Sequence, residues 1–362
     1  MDSAGVLTML LALAYIGVMV YLANLVEAAR VMPQGAEVDL PISLRAAPQA
    51  TALRWMQYGL IAIVFSLGVL VLQAALVSGF TDMAGSELSP IEIDLLSAGL
   101  TFALAAGASV FSYWVVSSLA VRQWLRAHLP GSAAYDPDSV VHTTALLLTL
   151  AVLVWTVAAF VLQGGLSGYA ESLQANSIRP IDLMFQAVLQ LVVAVLGVGL
   201  ALRRSLPDAL ERLGLRLPTN TDLVWGVGIG VLFIAVMFVF SALWAALTSP
   251  EAFAEQTQAV NQLNAAFASL PLAFVVAVSA AVGEEIWIRG ALQPVFGIVA
   301  TSVFFTALHT QVALTPATLL ILMVSLGLGW LRQRYSTTAA IIAHFVYNFV
   351  PLALLSVSMS AF

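Results

Sequence analysis

The chain has 362 residues, 61% of them hydrophobic and only 9% charged, with a mean hydropathy of +0.99. That balance lies outside the range of a soluble domain and describes a bundle of membrane spans, each needing about 20 apolar residues. The net charge of −6 argues against a nucleic-acid partner, and a chain without cysteine has no disulfide, thiolate zinc site, cysteine nucleophile or lipidated cysteine.

The predicted fold is all-α, a polytopic transmembrane helix bundle of about ten spans. Candidates lie near 4–25, 56–78, 95–119, 140–162, 182–202, 223–247, 270–291, 296–310, 316–331 and 337–359. The first is expected to be a retained helix, because Asp2 stands where a signal peptide carries basic residues and the apolar run is too long for one. All 13 basic residues are arginine, which hints at a GC-rich bacterial genome and so at a bacterial plasma membrane.

Arginine placement sets an expected orientation. Arg30, Arg45 and Arg54 fall in the first connection and Arg122 and Arg126 in the third. Arg203, Arg204, Arg212 and Arg216 fall in the fifth, and Arg332 and Arg334 in the ninth. These alternate connections would be cytoplasmic and both termini extracytoplasmic.

Two helix starts, "SPIEIDLLSAGL" and "IRPIDLMFQAVL", suggest either a duplicated hairpin or two ordinary starts of like composition. After Arg204, "SLPDALERLGLRLP" reads as a short amphipathic helix on the cytoplasmic surface. The expected organisation is an N-terminal transmembrane region of unassigned role (1–204), a cytoplasmic amphipathic linker (205–219) and a second bundle (220–362).

The chemistry lies in that second bundle. "GEEIWIRG" (283–290) sets Glu284, Glu285 and Arg289 inside an apolar span. Ionisable groups there are costly, normally face inward in pairs, and usually serve a function. On a helix Glu285 and Arg289 share a face in the favourable acid-before-base order, and Gln293 continues the stripe. Glu284 is turned by about 100° and has Trp287 and Ile288 where a cation would be needed. Glu285 is therefore read as bracing the helix, and Glu284 as an intramembrane carboxylate in need of a use. His309, ending "FFTALH", and His344, four residues before Asn348 in "AIIAHFVYNFV", are the intramembrane groups that could join it. Glu284 and His344 fall about 10–15 Å inside the expected cytoplasmic ends of their spans, with His309 somewhat deeper, so all could share one cavity.

The ordered set EExxxR (Glu284, Glu285, Arg289), FxxxH (Phe305, His309) and HxxxN (His344, Asn348) resembles the CAAX-protease and bacteriocin-processing (CPBP) family of intramembrane proteases, which includes type II CAAX prenyl endopeptidases. The resemblance covers about 220–362. It implies that Glu284 and His309 position and deprotonate a water, that His344 and Asn348 stabilise the oxyanion, and that Glu285, Arg289 and Phe305 support them. The implied activity is an endopeptidase acting on membrane-associated proteins or peptides, in contact with membrane lipid and without a cofactor.

Three other readings use the same residues. A zinc metalloprotease could be ligated by Glu284, His309 and His344, although the HExxH pair is missing. A transporter would use the ionisable groups as a proton relay, although the suspected repeat excludes them. A scaffold would keep the motifs without turnover.

Overall fold

A computed structural model describes residues 3–31, 42–83, 93–129, 134–166, 168, 179–250, 253, 269–310 and 316–360. The regular elements among them are helical: α1 (Ser3–Val31), α2 (Ile42–Met83), α3 (Leu95–Ser117), α4 (Leu119–His128), α5 (Val140–Leu162), α6 (Pro180–Gly197), α7 (Leu206–Leu213), α8 (Asn220–Leu247) and α9 (Leu270–Glu284). A π-helical segment (Glu285–Leu292), α10 (Gln293–Ala307), α11 (Ala317–Arg334) and α12 (Thr337–Ser360) follow.

Eight described helices are long and apolar enough to cross a membrane. Two features separate that number from the ten expected. The seventh and eighth candidates form one helical run, Leu270–Ala307, interrupted at Gly297, where φ is 80° and ψ is 165°. That backbone conformation favours glycine, and the ten residues after it are too short to span alone. The ninth candidate, α11, is diluted by Thr318, Ser325, its glycines and two terminal arginines. The outward faces of the spans carry large apolar side chains. Trp55 is 72% exposed, Leu96 70% and Val224 70%, an arrangement suited to lipid and not to water.

The two suspected repeat starts are locally unlike. Asp94 caps α3, accepting from the Ser97 N–H at 2.8 Å. Asp182 lies inside the first turn of α6, paired with Arg179 at 2.8 Å, after a proline start. The expected amphipathic helix is α7, closed by a Ser205–Asp208 capping box and by Gly214 in the left-handed conformation.

Two cores position the site. In one, Met19, Leu53, Val115 and Leu147 of the first half pack with Ile288, Phe296 and Phe305. In the other, Phe233, Leu328, Ala340 and Ala343 join α8, α11 and α12. Helices α8 and α12 approach closely because Gly226 and Gly230 face Ala339 and Ala343. A Cβ on Gly230 would lie 2.8 Å from the Ala343 carbonyl oxygen. Such small-residue faces are how apolar helices pack in lipid, where the hydrophobic effect cannot drive them together.

The start of α12 is clasped as well. Buried Asp222 accepts from Arg216 Nη2 (2.9 Å), Thr219 Oγ1 (2.7 Å) and Ser336 Oγ (2.6 Å). The Thr337 N–H donates to the Gly214 carbonyl at 3.0 Å. Outside the membrane, the hydrogen bond to Asp222 holds the Arg216 guanidinium above its ordinary pKa. The clasp fixes the helix that carries His344.

Candidate active site

The expected α-helix across EExxxR is α only as far as Glu284; the next eight residues are π-helical. Pro294 supplies the reason. It has no N–H to donate to the Gly290 carbonyl, four residues back, and the Gln293 N–H instead bonds to Ile288, five residues back. The Gly290 carbonyl accepts instead from Arg212 at 3.0 Å, and the neighbouring Ala291 carbonyl accepts from the same guanidinium at 3.4 Å. The wide turn is thus stabilised by a side chain from α7, whose Leu213 carbonyl stands only 3.0 Å from the place a Gly290 Cβ would occupy.

Glu285 and Arg289 are fully buried and form an ion pair, Nε to Oε2 at 3.4 Å, too long and poorly aligned for a hydrogen bond. The expected brace is present, but Glu285 does more. Its Oε1 accepts from Nδ1 of His344 on α12 at 2.9 Å, across 59 residues of sequence. Arg289 also donates to Ser325 Oγ on α11 at 3.0 Å and places its guanidinium 4.7 Å over the Phe305 ring. Gln293 donates to the Gly329 carbonyl at 2.8 Å. One helical stripe therefore holds α11 and α12 in place.

Glu284 is set apart. Its Oε2 is buried without a hydrogen-bond partner. Phe305 joins the remaining groups: its ring lies 4.6 Å from the His309 ring and 6.1 Å from the His344 ring. His309 Nδ1 bonds the Phe305 carbonyl at 2.8 Å, which fixes the ring within its own helix turn. Among the described residues no hydrogen bond joins His309 to Glu284, and no three His, Asp or Glu side chains are grouped as metal ligands would be. Asn348 follows His344 by one turn of α12 and is half-buried. Trp287, the bulky neighbour, packs edge-on against Phe304 at 5.6 Å, within the core shared with the first half.

Sequence reasoning missed the Glu285–His344 bond and the Asp222 clasp. For the clasp a signal existed, since "TNTD" (219–222) spells a capping box. For the bond none did, because nothing local relates positions 285 and 344.

Residues 266–350 match the family described as type II CAAX prenyl endopeptidase Rce1-like, which agrees with the resemblance carried by the three motifs. No curated protein and no solved structure matches the chain significantly. The chain is an integral membrane protein whose second half carries a stretch similar to the Rce1-like family.

Proposed function

We propose, starting from that Rce1-like stretch, that the chain is an intramembrane endopeptidase in which Glu284 activates the attacking water. The observation that carries this reading is the contrast between adjacent glutamates. Glu285 is ion-paired with Arg289 at 3.4 Å and hydrogen-bonded to His344, whereas the buried Oε2 of Glu284 has neither an ion pair nor a hydrogen bond among the described residues. A carboxylate reserved in this way can accept a proton from water as it adds to a peptide carbonyl. His309 shares that step, its Nδ1 committed to Phe305 and its Nε2 left for water.

His344 is the electrophilic partner. With Nδ1 on the Glu285 carboxylate, its ring orientation is fixed and Nε2 is the atom left for the substrate. A proton on Nε2 would serve the developing oxyanion together with the Asn348 amide, each donor contributing about 3 kcal/mol when well aimed. Glu285 is then a positioning residue for His344 as well as a brace for Arg289.

The substrates are membrane-associated proteins or peptides, and the orientation read from the arginines opens the site to the cytoplasm. A zinc site on Glu284, His309 and His344 is the second reading. The test is cleavage of a membrane-bound reporter peptide by protein purified without added metal, before and after a strong chelator. Activity surviving chelation is the expected result. Activity lost on chelation and regained with zinc would establish the metal reading, and no cleavage of a broad peptide set would favour a transporter or scaffold.

A further inference from the structure

Away from the Glu284–His344 group, a cavity of about 520 Å³ lies between the two halves of the molecule. Its apolar wall comes from α1, α5 and α6, including Val20, Val152, Leu189 and Val193. A second cavity of about 220 Å³, almost wholly apolar, continues it along α1 and α6 and shares Val20, Leu189 and Val193. Together they form a tapering apolar channel beside the catalytic helix.

One end of the channel is lined by Arg203, Arg204 and Arg212. Each is half-buried and already tethered by part of its guanidinium. Arg203 Nε donates to Asn24 Oδ1 at 2.8 Å, Arg204 Nη1 to the Val198 carbonyl, and Arg212 to the carbonyls of Gly290 and Ala291. Among the described residues none of the three forms an ion pair. The acidic group acting on Arg203, Glu27, is itself held by Arg30 at 2.6 Å and by the Val140 N–H at 3.1 Å. Burial, followed by repulsion from Arg204, Arg332 and Arg203, brings the Arg212 pKa down to about 10.

The turn that carries Arg203 and Arg204 is strained at Ala201. Ala201 has φ of 63° and Gly199 has φ of 96°, with no room for a Cβ at Gly199 beside Asn24 and Arg203. Clustered cations at the edge of a low-dielectric region repel one another unless an anion joins them, and guanidinium groups suit phosphate oxygens. An apolar channel ending in such a cluster matches a molecule with one anionic end and one long apolar tail.

We infer that this channel is a binding site for an acidic phospholipid, its headgroup phosphate on Arg203, Arg204 and Arg212 and an acyl chain between α1 and α6. Basic pockets between transmembrane helices suit such headgroups. The lipid would bridge the first half to the catalytic helix, because Arg212 also secures the carbonyls of Gly290 and Ala291.

The test is native mass spectrometry of the full chain with phosphatidylglycerol and with phosphatidylcholine carrying the same acyl chains. Wild-type protein should retain one phosphatidylglycerol with roughly tenfold or greater preference. Arg203→Gln combined with Arg204→Gln should abolish the preference. Val193→Trp, which fills the channel and leaves the arginines intact, should weaken binding of both lipids. Equal retention of the two lipids by the wild type overturns the site, whatever the variants do. Displacement of phosphatidylglycerol by millimolar inorganic phosphate would reduce it to a free-anion site and also overturn the inference.

Discussion

The two halves of the chain bury polar groups in different ways. In α2, α3 and α5 the buried groups are hydroxyls and amides, mostly returned to their own helix. Thr101 donates to Ser97 at 2.7 Å and Thr144 to Val140 at 2.7 Å, while Gln57 reaches Thr144 at 3.0 Å. The first half's charged cluster lies at helix ends, with Glu27 and Arg30 at the end of α1 and Asp136 in the loop before α5. In the second half the charges lie within the helices and reach between them, from Glu285 to His344 and from Arg289 to Ser325. A hydroxyl bonded to its own backbone costs little and specifies little. A charge buried in lipid must be met by a partner, and where that partner stands on another helix it fixes relative helix position.

Substitutions that sharpen this contrast span a wide range of effect. Glu285→Gln should cost about 3–5 kcal/mol, because it leaves Arg289 buried without its counter-charge. It should also lower activity beyond the loss of folded protein, since His344 loses its orienting carboxylate. Unfolding in detergent and activity per folded molecule separate the two effects. Gly230→Ala should cost about 1–3 kcal/mol by forcing α8 from α12, read as a lowered denaturation midpoint. Arg212→Gln should cost about 1–3 kcal/mol, because it removes the donor that serves the Gly290 carbonyl in place of Pro294. Thr101→Val in the first half should change stability by less than about 0.6 kcal/mol and leave cleavage untouched. A Thr101 effect as large as that of Glu285 would erase the distinction between the halves.

Much of the second half was legible in the sequence because charges in an apolar chain announce themselves. The Glu285–Arg289 pair follows from i,i+4 spacing, and the separate status of Glu284 from the lack of a cation at i+3 or i+4. The π segment was not legible as such, although Pro294 was in plain view. Proline excludes one hydrogen bond without saying whether the helix kinks, breaks or widens, and here Arg212 from α7 decided that. The seventh and eighth candidates divide at residues 292–295, whereas the helical run continues through those residues and is interrupted at Gly297, by a backbone angle that hydropathy does not report. The bond from Glu285 to His344 was beyond sequence reasoning because α12 docks through Asp222, Gly226 and Gly230, and only that docking brings the two groups together. The channel between the halves belongs to packing alone.

The central claim is that Glu284, and not its neighbour, does the chemistry. It is tested most directly by Glu284→Gln in a reporter-cleavage assay on folded, monodisperse protein. Glutamine preserves the shape, introduces no buried charge and removes the base. The account expects cleavage to fall by at least about 10³-fold with the denaturation midpoint nearly unchanged. Full activity in that variant would contradict the account.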